Sequence, residues 1–194
     1  MVTMPLMPAV ATRAPRQLPG LHSPAAGFDQ PFEMLAACHE RLARTLALLG
    51  RLLDHLDNGA ADGNARSAAS AVWRYFELAA PQHHRDEELH LLPRMRASGH
   101  PALQAAAAQM LDDHAAFRAQ WQRLGPALAA LRDGDPPAAA TLRALAEPFI
   151  RRHGSHLALE NGLAYPAVAA QLGASDRAAM GAEMARRRDV RTTG

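Results

Sequence analysis

The sequence predicts an all-α fold, an up-down-up-down four-helix bundle. Two observations carry this reading. Four stretches of roughly 24 to 35 residues carry apolar side chains at alternating three- and four-residue spacing, with short connections between them. No stretch alternates apolar and polar residues as a half-buried strand would.

Residues 1 to about 28 contain Pro5, Pro8, Pro15, Pro19 and Pro24 and no periodicity, which predicts a disordered proline-rich arm. The bundle then spans residues 29–172. Its first helix runs from about Pro31 to His55, with Leu35, His39, Leu42, Leu46, Leu49 and Leu53 on one stripe, and "DNGAADGN" ends it. The second runs from about Ala65 to Ser98, with Val72, Phe76, Ala79, His83, Glu87 and Leu91 in line. Pro81 should kink it, and Pro93 should kink or end it. The third starts near Pro101 and lines up Leu103, Ala107, Met110, His114, Phe117, Trp121, Leu124, Leu128 and Leu131 before "DGDPP" stops it. The fourth, about Ala138 to Leu172, aligns Leu145, Phe149, His153, His156, Glu160 and Leu163. Residues 173–194 form a short fifth helix, about Ser175 to Arg187, and a tail.

Composition narrows the function classes. The chain has 194 residues, enough for one well-buried domain and a tail. All 21 basic residues are arginine, a pattern typical of a GC-rich, bacterial coding sequence. The net charge of only +2 and the scatter of arginines among acids leave no basic stripe for nucleic acid. The one concentrated run, Arg186, Arg187 and Arg188, reads as a solvated tail end. Cys38 is the sole cysteine, which excludes an internal disulfide and any zinc or iron–sulfur site of four cysteines. No apolar run approaches the roughly 20 residues of a membrane span, and Pro5 and Pro8 break up any signal peptide. These features predict a cytoplasmic protein that binds neither membrane nor nucleic acid.

One arrangement occurs twice, 73 residues apart: His83-x3-Glu87-x5-Pro93 in "HHRDEELHLLP" and His156-x3-Glu160-x5-Pro166 in "HLALENGLAYP". A histidine and a glutamate four apart share one helix face, so both reach one metal. Two such pairs on facing helices give two imidazoles and two carboxylates around one cavity. His39 and His114 also fall on core stripes. Burying these six polar groups without partners would cost roughly 2–7 kcal/mol each. A shared metal removes that cost; mutual hydrogen bonding is the plainer alternative.

The pattern resembles the hemerythrin-like family of diiron four-helix bundles, the HHE cation-binding domains. The resemblance covers residues 29–172 and rests on "HHRDEE…LLP" and "HLALENGLAYP", then "CHERL" and "DDHAAF". It implies His39 and His83 on one iron, His114 and His156 on the other, and Glu87 and Glu160 bridging the two. The implied cofactor is an oxo- or hydroxo-bridged pair of iron ions, with zinc or manganese accepting the same ligands. His84/Glu88 has the same internal spacing as His83/Glu87. The distance to Pro93 and the stripe shared with Val72 and Phe76 favour His83/Glu87.

Oxygen-carrying hemerythrins have a His-x3-His pair on the third helix, whereas here Met110 stands four before His114. Around two six-coordinate irons, four histidines fill four positions, the two carboxylates four and the shared bridge two, leaving about two open. His153 is a candidate fifth imidazole, although a hydrogen-bonding neighbour of a ligand or a surface position at the bundle end is the stronger reading. Asp112, Asp113 and Glu40 could orient ligand imidazoles. Tyr75 and Tyr165 could donate to a bound ligand, but packing at a bundle end is favoured for both. Phe117 and Trp121 read as an apolar wall, Cys38 as a small core residue, and His22, His55, His90 and His100 have no role.

The resemblance implies binding of O2, NO or a related small ligand, for sensing, scavenging or storage. An enzyme with peroxidase or NO-reductase-like activity would need a proton donor, and the sequence shows no convincing one. A metal-stapled module that contacts a protein through its arm or tail is a third reading.

Overall fold

The computed structural model describes residues 27–59 and 61–188. The arm expected over residues 1–28 therefore lies almost wholly outside the described residues. Helix α1, Pro31–Asn58, is the first rod. The second comprises α2 (Gly63–Arg74), a π-helical turn (Tyr75–Ala79), α3 (Ala80–His90) and α4 (Leu92–Ala97). The third is α5, Pro101–Asp133. The fourth comprises α6 (Ala139–Leu159), a second π turn (Glu160–Ala164) and α7 (Tyr165–Gln171). A final helix, α8 (Ala174–Arg187), follows. Neighbouring rods pack in the order α1, α2, α5, α6 and back to α1, an up-and-down bundle.

Local chemistry sets the ends of the rods. Pro31 and Pro101 occupy first turns, where no amide hydrogen is missed. The Asp62 carboxylate caps α2 by accepting from the Ala65 amide at 2.8 Å. Gly134 closes α5 at φ 94°, a left-handed conformation suited to glycine.

At Pro81 the second rod stays helical. The proline cannot donate to a carbonyl one turn back, and the chain widens into a π turn just before it. Pro166 follows the second π turn in the same way. Before Pro93 the helix is interrupted only at Leu91, whose amide still bonds to the Glu87 carbonyl at 2.9 Å and whose carbonyl accepts from the Met95 amide at 3.0 Å.

The second π turn also shifts the apolar stripe. In a regular α-helix, residues five apart lie about 140° apart around the axis. Here the Tyr165 amide bonds to the Glu160 carbonyl, which stacks Tyr165 one wide turn above Glu160. Ala164 and Tyr165 are therefore buried, and Leu163, expected on the stripe, is only half-buried.

Two apolar clusters fill the bundle. One gathers Leu42, Leu46, Leu49, Val72, Phe76, Phe117, Leu128 and Phe149; the other gathers Leu35, Leu91, Met95, Leu103, Met110 and Val168. Each large side chain so buried contributes about 1.5–3 kcal/mol. Helix α8 completes the second cluster with Met180 and Met184. A Cβ at Gly181 would fall 1.7 Å from the Phe28 carbonyl oxygen, so only glycine permits this approach. Of the arginine run, Arg186 is exposed, but Arg187 and Arg188 are not a solvated end. Arg188 Nη2 lies 2.7 Å from a carboxylate oxygen of the fully buried Asp86, and Arg187 pairs with its other oxygen. His90 is likewise engaged, 2.7 Å from Glu183 of α8.

Candidate metal centre

Between the two apolar clusters lies a polar layer to which all four rods contribute. On α1, His39 sits between Leu35 of one cluster and Leu42 of the other. On α3, His83 and Glu87 lie between Ala80 and Leu91; on α5, His114 lies between Met110 and Phe117. On the fourth rod, His156 and Glu160 lie between Phe149 and Ala164. None of the six is more than 4% exposed.

Their ligand atoms form two adjoining groups. His39, His83, Glu87 and Glu160 each offer an atom within 4.8 Å of the others, and so do Glu87, His114, His156 and Glu160. Two atoms bound about 2.1 Å from one ion are at most about 4.2 Å apart, so small side-chain rotations bring either group to bonding distance. Both carboxylates belong to both groups and present one oxygen to each. Glu87 Oε1 lies 3.4 Å from His83 Nε2 and Oε2 lies 3.3 Å from His114 Nε2. Glu160 Oε2 lies 3.1 Å from His39 Nε2 and Oε1 lies 2.7 Å from His156 Nε2.

Outer partners fix three of the four imidazoles. His39 Nδ1 donates to Asn161 Oδ1 at 2.8 Å, His114 Nδ1 to Glu88 Oε1 at 3.1 Å and His156 Nδ1 to Asp113 Oδ2 at 3.2 Å. Each bond turns Nε2 inward, the orientation a metal ligand needs; His39 Nε2 meets the Tyr165 hydroxyl there at 2.8 Å. Asp113 was legible in the sequence; Asn161 and Glu88 were not, although each follows a glutamate of the repeated motif. Glu88 also pairs with Arg118 at 3.2 Å. Asp112 and Glu40, the other acids considered, point to solvent.

Burial and charge act in opposition here. Burial disfavours a charged His39, but the Glu160 and Glu87 carboxylates outweigh it and raise its pKa to about 10. Burial opposes the Glu87 charge as well, yet His83, His114 and His39 hold its carboxyl well below the usual range. A field that draws a proton to an imidazole in this way also draws a cation.

Three further residues are placed differently from expectation. His153 is not at a bundle-end surface: it is fully buried, its Nδ1 donates to the Phe149 carbonyl at 2.9 Å, and its ring stacks on Phe117 at 3.6 Å. It joins neither group. Tyr165 packs on Phe32 as a bundle-end aromatic would, but its hydroxyl reaches the layer, 2.8 Å from His39 Nε2 and 2.5 Å from Glu87 Oε1. His84, half of the disfavoured motif register, is buried beside His114. Tyr75 is a packing residue whose hydroxyl donates to the Cys38 carbonyl at 3.4 Å, and Cys38 joins no group. A cavity of about 240 Å³ adjoins the layer; Phe76, Phe117, Phe149, Trp121, His84 and His153 line it, with Arg85, Glu88 and Arg118 also on its wall.

The donor set fits metal ions on an observation of its own. His83 Nε2, Glu87 Oε2, His114 Nε2, His156 Nε2 and both Glu160 oxygens are enclosed without a hydrogen-bond partner. Several such orphaned atoms converging on one spot would be costly, and a divalent cation satisfies them together. Imidazole with carboxylate suits iron and also zinc or manganese.

Fold and site together define a four-helix bundle with a buried His/Glu cluster able to chelate a pair of metal ions. The model of the hemerythrin HHE cation-binding domain matches residues 30–168, and the chain belongs to that family. It is 30% identical over 171 residues to an uncharacterized protein of Haemophilus influenzae, a match covering 86% of this chain and 94% of the relative. Among the described residues, no helix is long and apolar enough to cross a membrane.

Proposed function

We propose that the chain is a cytoplasmic non-haem diiron protein that binds O2, NO or a related small ligand for sensing, scavenging or storage. His39 and His83 would hold one iron, His114 and His156 the other, and Glu87 and Glu160 would bridge them. The observation that carries this reading is the split of each carboxylate, one oxygen toward each histidine pair. Iron would supply reversible electron exchange with a diatomic ligand. The chain's own part is to fix the imidazoles through Asn161, Glu88 and Asp113, and to exclude bulk water with apolar clusters on both sides.

Elemental analysis and the visible spectrum of aerobically purified protein test this, beside a His83→Ala/His156→Ala variant. About two irons per chain, with charge-transfer bands of a bridged pair that vanish in the variant, is the expected result. One zinc, or no metal and an unchanged fold, would overturn it. A second reading, an enzyme with peroxidase or NO-reductase-like activity, is supported by the Tyr165 hydroxyl, an O–H group held at the layer 2.8 Å from His39 Nε2. Iron-dependent peroxide or NO turnover that falls in Tyr165→Phe would select that reading.

A further inference from the structure

We propose that the cavity beside the polar layer binds a small aromatic acid, a single ring bearing a carboxylate. The inference goes beyond the diiron reading and does not rest on it, because none of the six side chains of the metal layer lines this cavity. Its two ends differ in chemistry. The inner wall is Phe76, Phe117 and Phe149, none more than 4% exposed, with half-buried Trp121 beside them. The mouth is Arg85, Glu88 and Arg118, and both arginine side chains are more than half exposed. Small-molecule sites join an apolar lining to a few placed polar groups in this way.

The inner end calls for a ring. Phe76 meets Phe149 edge-on at 4.8 Å and Trp121 at 5.5 Å with planes 39° apart, so faces and edges are presented at several angles. An aromatic guest gains offset or edge contacts there beyond its buried area. A cavity of about 150 Å³ already holds benzene, so one of about 240 Å³ takes one ring with a short substituent. The inner end also refuses a carboxylate. His153 lies in its wall, and its Nδ1–H is spent on the Phe149 carbonyl. Burial keeps that imidazole neutral, so Nε2 carries a lone pair and has no hydrogen to offer.

The mouth supplies the opposite. Arg118 Nη1 lies 3.2 Å from Glu88 Oε1, and Arg85 Nη1 lies 3.8 Å from Glu88 Oε2. Two guanidinium groups therefore share one carboxylate, and that carboxylate also accepts from His114 Nδ1. One positive charge is left over, with guanidinium N–H groups to spare. Glu77, which accepts from Trp121 Nε1 at 2.8 Å, is not part of the lining. A ligand carboxylate at the mouth pairs with the surplus charge while its ring stays inside.

Calorimetric titration of the full-length protein, as purified, with benzoate, toluene and hexanoate tests the site, beside Arg85→Gln/Arg118→Gln and Ala80→Phe. Benzoate should bind once per chain with a Kd of roughly 0.1–1 mM and change the Trp121 fluorescence. Toluene, a ring without the acid, and hexanoate, an acid without the ring, should each bind about 3–10-fold more weakly. The arginine variant should lower benzoate affinity to that of toluene and leave toluene unchanged. Ala80→Phe puts a ring into the cavity and should abolish binding of both. Overpacking can also unfold a chain, so the surface arginine pair decides. A wild type that shows no saturation below about 10 mM benzoate would overturn the proposal. So would hexanoate that matches benzoate, or an arginine variant that binds benzoate as the wild type does. Benzoate that shifts the iron absorption and keeps its affinity in the arginine variant sits on the metal, which also overturns it. A chain without iron that binds benzoate as expected would sink the diiron reading and leave this one standing.

Discussion

The Tyr165 hydroxyl donates to Glu87 Oε1 at 2.5 Å, tying the fourth rod to the second across the polar layer. The bond is charge-assisted and fully enclosed, so its removal is felt directly. Tyr165→Phe should keep the iron count but lower the stability of metal-free protein by about 1.5–3 kcal/mol, read from urea unfolding.

Removing metal should destabilise the whole bundle, because the orphaned atoms of Glu87, Glu160, His114 and His156 then lack a common partner. At a free concentration 1,000 times Kd, a bound ion contributes about 4 kcal/mol. For a chain of this size that corresponds to a melting shift of roughly 8–16 °C. Calorimetry before and after chelator treatment measures it; an unchanged melting temperature would show that the layer holds no metal.

His153 should make metal-free protein sensitive to acid. Burial, only partly offset by the Phe149 carbonyl, lowers its pKa to about 3. The unfolded histidine takes up its proton near 6.5, so between these values the unfolded chain binds more protons. The contribution is full above pH 6.5 and is lost as pH falls toward 3. Burial of His83 and His84 acts in the same direction. His153→Phe should reduce the loss of stability between pH 7 and 4.5 by about 2–3 kcal/mol. An identical pair of unfolding curves for variant and wild type would refute this.

The clamp on Asp86 should behave as a buried ion pair does when one side is removed. Arg187→Ala/Arg188→Ala leaves an enclosed carboxylate unpaired and should cost about 3–5 kcal/mol. Adding Asp86→Asn should recover part of that loss, because an amide carries no charge to strand. Urea titration of the three proteins gives the comparison.

Much of this molecule can be read from the chain. The stripe of Leu35, His39, Leu42, Leu46, Leu49 and Leu53 is buried throughout, because α1 is one uninterrupted α-helix and its period never changes. His83 with Glu87 and His156 with Glu160 come together because four-residue spacing fixes a shared face locally. The sequence offers Tyr165 as a candidate donor but favours packing at a bundle end, because a π turn changes the period between Glu160 and Tyr165 and hydropathy does not encode that change. The sequence offers His84 with Glu88 only as the disfavoured register, because a helix wheel places it beside Trp73 and Glu77, whereas its burial is set by α5 and α6 packing around it. Arg187 and Arg188 looked like a solvated run because their partner, Asp86, lies about a hundred residues away.

The second π turn has a consequence for how relatives of this chain are found. A wide turn holds one residue more than the α-turn it replaces, and the surplus is absorbed on the spot. Deleting Gly162 would leave Tyr165 four residues after Glu160 on a regular helix, still on the same face, with α7 undisturbed. The interval of five residues between Glu160 and Pro166 would then read as four. Orthologues with the same site therefore need not share its spacing, and a search pattern of fixed length would pass over those that differ by one codon.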